Sequence, residues 1–196
     1  MLKIEYIWRE LLYRTIEQKK NDFSLTELSQ RFDLSTSVVS HALLPLREMG
    51  MVKIGKNISH IVDTERLLMF WATRRNLKKD IIYQTYSSLP VLERESSFPG
   101  NVFPTAYSAF SFYNKELPTD YENVYYYTDN IEEIKKRFPE NATKPNVYIL
   151  KMDPYLRIYQ HTSLSQIFVD LWNLPEWYAK EFQQEVLLII KKSIGL

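Results

Sequence analysis

The stretch "LSTSVVSHALLPLREMGMVKIGKN", residues 34–57, decides how the first third of this chain is read. After a polar "STS", apolar residues recur at Val39, Leu43, Leu46 and Met49, the spacing of one helix face. Ser35 stands where an N-cap belongs, its hydroxyl placed to take a free amide of the first turn. A helix is expected over about 36–49, ended by Gly50. Pro45 is the misfit. It removes one helical hydrogen bond and crowds the carbonyl four residues back, so it is expected to bend the C-terminal half and leave the first turns straight. Two short strands, "MVKI" and "ISHIV", then flank a tight turn at Gly55, Lys56 and Asn57.

Upstream, residues 3–19 read as a helix with Ile4, Ile7, Trp8, Leu11, Leu12 and Ile16 in one apolar stripe, broken by Asn21 and Asp22. "SLTE" fits a capping box, with Ser24 and Glu27 as partners, and opens a second helix with Leu25, Leu28 and Phe32 inward. "DLS" at 33–35 is a turn. Helix, helix, three-residue turn, helix, hairpin is the layout of a winged helix-turn-helix. Downstream, Asp63 can cap "TERLLMFWATRRNLKKD", whose apolar face holds Leu67, Leu68, Phe70 and Trp71; this segment reads as a connector.

The remainder mixes both kinds of element. The pattern predicts a helix near 104–114, a strand "NVYYYT", a helix "IEEIKKRF", strands "NVYILKM" and "LRIYQ", and a long helix from about 176. The expected fold class is therefore α+β. Residues 1–62 form the winged helix-turn-helix, 63–80 the connector helix, and 81–196 a mixed α/β domain. No internal repeat or low-complexity tract occurs.

Composition bounds the function. Of 196 residues, 45% are hydrophobic and 25% charged, which is globular rather than disordered. The longest apolar runs, such as "VLLII" at 186–190, are too short to span a bilayer, so no membrane role is expected. "MLKIEYIWRE" carries acids within its apolar pattern and does not read as a signal peptide. With no cysteine, thiol catalysis and disulfides are excluded, and a cytoplasmic location is expected. The net charge is only +1, but residues 1–80 hold 14 Lys/Arg against 10 Asp/Glu and the rest 11 against 14. A modestly basic front half suits a local nucleic-acid contact rather than general coating.

In such a unit the second helix of the motif enters the major groove with its N-terminal residues at base edges. Thr36, Ser37, Ser40 and His41 face solvent there, and Ser35 precedes them; hydroxyls and imidazole read bases or hold phosphates. Thr26, at the start of the preceding helix, is placed for a phosphate. Lys53, Lys56 and Asn57 lie on or near the wing, where they would track the backbone. No Arg or Gln stands in the first turns of the reading helix to give a bidentate base contact.

Enzymatic signatures are sparse. None of the four glycines forms a phosphate-cradling loop, and no Gly-x-Ser-x-Gly elbow is present. His41, His60 and His161 show no metal-ligand spacing. No catalytic residue, metal ligand or cofactor is expected. His161 reads as a loop residue. Tyr125, Tyr126 and Tyr127 in one strand, with Tyr107, Phe110, Phe112 and Tyr113 nearby, form a ring cluster of the kind that stacks a base or a ligand; the favoured reading is a tyrosine-rich core with one wet strand face.

"FPTAYSAFSFY" (103–113), then a strand, then "VYILKM", then "TSLSQIFVDLWNLPEWYAKEF" (162–182) resembles the C-terminal domain of AbiEi-like antitoxins. The most telling match is Ser165, Gln166, Asp170 and Leu171. The resemblance implies a transcriptional autoregulator of a type IV toxin–antitoxin system, with an N-terminal winged helix and a minimal nucleotidyltransferase-like second domain. It also implies a functional link to a nucleotidyltransferase-like toxin. Active nucleotidyltransferases open a helix with Gly-Ser and carry an Asp-x-Asp pair for two metal ions. Here the helix opens "PTAYSAF", tyrosines replace the acids in "ENVYYYTDN", and Glu122 and Asp129 flank the strand too far apart. Asp153 is left as a match to the third acid, which alone cannot hold two metals.

The expectation is a DNA-binding transcriptional regulator, an autoregulating antitoxin-like repressor acting on double-stranded operator DNA. The alternatives are a nucleotidyltransferase with an atypical metal site and a winged helix used for protein contact. Half-site symmetry suggests a homodimer. Candidate interfaces are the first helix and the last, with Trp177, Phe182, Val186, Leu187 and Ile190.

Overall fold

The computed structural model describes residues 1–195. The first helix, α1 (Lys3–Ile16), is followed by a short strand β1 (Asp22–Phe23), then α2 (Leu25–Arg31) and α3 (Thr36–Glu48). Strands β2 (Val52–Lys53) and β3 (Ser59–Ile61) pair antiparallel, Val52 opposite Ile61, and β1 joins the far side of β3. The chain continues with α4 (Thr64–Arg74), a 3-10 turn at Leu77–Asp80, β4 (Ile81–Thr85), α5 (Val91–Ser96), β5 (Phe103–Thr105) and α6 (Ala106–Phe110). Then come β6 (Val124–Thr128), α7 (Ile131–Arg137), β7 (Val147–Lys151), α8 (Leu164–Trp172) and α9 (Ala179–Ile194). The chain is an α+β protein with two mixed-in sheets.

The larger sheet has the order β4-β7-β6-β5, with β6 and β7 parallel and the outer pairs antiparallel. It is covered on both faces, which decides the fate of the tyrosine strand. Tyr125 and Tyr127 point into the main core, while Val124 and Tyr126 point into a smaller cluster with Phe98, Ile134, Phe138 and Ile149. Tyr126 stacks on Phe98 and Tyr125 on Tyr148. Every residue of β6 is buried, so the expected wet face is absent. A strand buried on both faces reads as a continuous apolar run, and "VYYYT" is one.

The main core is continuous from Tyr6 in α1 to Ile190 in α9. Its centre is α1, which packs on α3, α4, α8 and α9. The expected stripe is buried apart from the half-buried Ile4, and so are residues between: Glu5, Arg9, Glu10 and Arg14. These charges are paired rather than solvated. Glu10 meets Arg14 at 2.7 Å, Arg31 of α2 at 2.9 Å and the Tyr159 hydroxyl at 2.7 Å. Among the candidate interface residues, Ile7, Trp8, Leu11, Phe182, Val186 and Ile190 are core, and Trp177 is exposed.

Several sequence expectations are corrected. The first helix ends at Ile16 rather than 19, because Lys19 adopts a left-handed φ of 59° that turns the chain into β1. That two-residue strand pairs with β3, and its shortness hides it from any periodicity. The helix expected over 36–49 ends at Glu48, with Pro45 inside it, and Met49 lies at its end, exposed, rather than inward. The helix expected over 63–80 is shorter: α4 stops at Arg74 and buries the expected Leu67, Leu68, Phe70 and Trp71, packing on α1 and α8. The helix expected near 104–114 divides into β5 and α6, with Ala106 at φ 51° making the sharp junction. "LRIYQ" is a 3-10 turn at Leu156–Ile158, not a strand. β4, α5 and α8 are added.

Candidate nucleic-acid interface

The exposed face of α3 is built by its neighbours. Ser24 Oγ accepts the Glu27 amide at 3.1 Å and starts α2, while the Glu27 carboxylate meets Arg14 at 2.7 Å. The turn into α3 passes through Asp33 at φ 45°, a conformation that Asp tolerates better than most residues. Leu34 is buried beneath the turn, its carbonyl accepting Ser29 Oγ at 2.5 Å. Ser35 Oγ accepts the Val38 amide at 3.3 Å and caps α3. Ser35 is therefore committed to the backbone.

The inner face of α3 is fixed from two sides. Val39, Ala42, Leu43 and Leu46 are buried, and the Trp8 indole donates to the Ala42 carbonyl at 2.9 Å. At the far end, Arg66 of α4 donates to the Met49 carbonyl at 2.8 Å. α2 is held from below: the Tyr155 hydroxyl donates to the Phe32 carbonyl, and Tyr155 packs edge-on to Phe32 and Tyr6.

The outward side chains of α3 are Thr36, Ser37, Ser40, His41, Leu44 and, three turns on from Thr36, Arg47 with Glu48, all exposed. Among the described residues, Thr26, Thr36, Ser37, Ser40, His41, Lys53, Lys56 and Asn57 are exposed, and their side chains make no hydrogen bond within the protein. A groove of about 360 Å³ separates α3 from the hairpin, lined by Ser37, Ser40, His41, Leu44, Arg47 and Ile54. The structure thus brings Ser37, Ser40 and His41 together. Thr36 stands at the helix start, Lys53, Lys56 and Asn57 lie on the hairpin, and Thr26 is apart on α2. The hairpin turn needs Gly55, because a Cβ there would lie 2.0 Å from the Ile58 carbonyl oxygen.

Arg47 is the residue the sequence reading missed. Residues 37, 40, 44 and 47 recur at helical spacing, which is the signal that places Arg47 on the same face. Pro45 also contributes locally. It removes the bond that the His41 carbonyl would otherwise accept, on the same exposed face.

The carboxylates of the larger sheet region are occupied. Asp153, the match to the third acid, meets Arg9 through two contacts of 2.7 and 2.9 Å, with both side chains buried. Asp129 pairs with Arg157 at 2.9 Å on the surface. Asp170 is fully buried; it accepts from Tyr127 at 2.6 Å, Thr105 at 2.8 Å and Gln166 at 2.9 Å, with Arg75 at 3.5 Å. Burial pushes its carboxyl up, opposed by Arg75 and these donors. Among the described residues no group of three or more His, Cys, Asp or Glu is placed to hold a metal ion. No helix there is long and apolar enough to cross a membrane.

Comparison with protein-family models, curated proteins and solved structures gives no match.

Proposed function

We propose that this protein is a DNA-binding transcriptional regulator, with α2, α3 and the β2–β3 hairpin acting as a winged helix-turn-helix. One observation carries the reading. Among the described residues, the polar side chains of α3 free of internal bonds, Thr36, Ser37, Ser40, His41, Arg47 and Glu48, line its solvent face, beside a hairpin that presents Lys53, Lys56 and Asn57. In this arrangement α3 enters the major groove, Ser37, Ser40 and His41 meet base edges, and Arg47 and the hairpin lysines hold phosphates. The rest of the chain is the platform that sets the angle of α3, through Trp8, Tyr155 and Arg66.

The resemblance of the second half to AbiEi-like antitoxins extends the proposal to an autoregulating repressor. Its minimal nucleotidyltransferase-like domain acts without catalysis, and its operon carries a nucleotidyltransferase-like toxin. The pairing of Asp153 with Arg9 supports a non-catalytic second domain. Footprinting across the gene's own upstream region tests the proposal. Protection of a discrete site, lost in Lys53→Glu/Lys56→Glu, is expected; uniform protection, or none, would reject it.

A further inference from the structure

The loop between α8 and α9, residues 173–178, stands over the sheet and leaves two adjoining lobes, of about 500 and about 660 Å³. Tyr148, Pro175 and Glu176 line both. We propose that this cleft binds an organic ammonium group, seated between aromatic rings and the Glu176 carboxylate. The proposal stands on the cleft alone and does not depend on the DNA reading.

Glu176 is held in place by neutral donors. Its carboxylate accepts from the Tyr125 hydroxyl at 2.6 Å, the Asn123 amide nitrogen at 2.5 Å and the Tyr107 hydroxyl at 3.3 Å. Among the described residues it has no ion-pair partner, so its negative charge is positioned but not neutralised. Rings supply the walls. Tyr148 is stacked on Tyr125, with centroids 4.7 Å apart, and Tyr86, Trp177 and Tyr178 line the second lobe. Trp177 is 76% exposed, an unusual place for so large an apolar side chain.

The field in the cleft favours a cation. Glu176 lines both lobes and Glu122 the second, and the Tyr148 hydroxyl is held above its usual value by burial, by Glu176, by Tyr178 and by Glu122. Lys78 lines only the first lobe and Lys144 only the second. An ammonium group placed over Tyr148 gains both the carboxylate and the negative faces of the rings. A neutral group of the same shape gains only contact area.

Calorimetric titration with choline, with spermidine and with the uncharged tert-butyl analogue of choline tests this. The expected result is saturable binding of one of the two cations, with the neutral analogue bound at least about fivefold weaker than choline if choline is the one bound. Trp177→Ala and Glu122→Gln change exposed side chains, so the melting temperature is expected to hold while cation affinity falls about fivefold. The proposal is overturned if neither cation saturates, if the neutral analogue binds as well as choline, or if both variants bind like the parent.

Discussion

Arg9 and Asp153 lie 144 positions apart and meet as a bidentate ion pair, Nη1 and Nη2 at 2.7 and 2.9 Å from the two carboxylate oxygens. The pair sits where α1 passes the end of β7, and both side chains are buried. It ties the helix that supports α3 to the larger sheet. Breaking such a pair strands a buried charge, which costs about 3–5 kcal/mol. Arg9→Met is therefore expected to lower stability by that order in urea unfolding. Arg9→Met/Asp153→Leu is expected to recover much of the loss, because two apolar groups replace two charges.

The Tyr127 hydroxyl donates to Asp170 at 2.6 Å in a fully buried site. Tyr127→Phe removes that donor and leaves the carboxylate less satisfied. The expected cost is about 1–3 kcal/mol, measured by the urea midpoint at constant slope. An unchanged midpoint would show that Gln166, Thr105 and Arg75 suffice.

Glu17 accepts the Leu164 amide at 2.8 Å, so the end of α1 caps the start of α8. Burial pushes its carboxyl up to about 7, against the pull of that amide and of Lys19. The folded state therefore holds a proton that the unfolded chain has released. Stability falls as pH rises from the ordinary carboxylate range to about 7 and levels off above. The slope in that window approaches about 1.4 kcal/mol per pH unit. Glu17→Gln is expected to flatten it and to raise stability at pH values above the window, read from melting temperatures across the range.

Asp33 holds a φ of 45° in the turn between α2 and α3. Glycine adopts that conformation without penalty, whereas other residues pay about 1–2 kcal/mol, with Asp at the lower end. Asp33→Gly is expected to leave stability unchanged or raise it slightly in thermal unfolding. A marked loss would mean that the Asp33 side chain itself stabilises the turn.

What the sequence disclosed followed the local character of each signal. The caps at Ser24, Ser35 and Asp63 were legible, since each lies three residues from the amide it accepts. The β2–β3 hairpin was legible from Gly55 and its flanking apolar residues. α1 was legible as a helix but not as the centre of the core. Glu5, Arg9, Glu10 and Arg14 look like a solvated face, and their partners Asp153 and Tyr159 lie far along the chain. β1 has two residues and no period. α4 was legible as a helix with one apolar face, but the partner of that face, α8, lies about 95 positions on and gives no local signal. Asp170 and Gln166 were seen to share a helix face, while their partners Arg75, Thr105 and Tyr127 come from three other segments.

The central claim is that α3 reads DNA through Ser37, Ser40 and His41. A salt-dependent titration tests it most directly, comparing the gene's own upstream region with scrambled DNA of equal length. The parent protein and Ser37→Ala/His41→Ala are measured side by side, with Lys53→Ala/Lys56→Ala as the phosphate control. The account predicts preference for the upstream DNA, lost in the α3 variant. The hairpin variant keeps the preference but shows a shallower salt dependence, by about 0.9 in log–log slope per contact removed. Equal, weak binding of both DNAs by the parent, unchanged in the α3 variant, would contradict it.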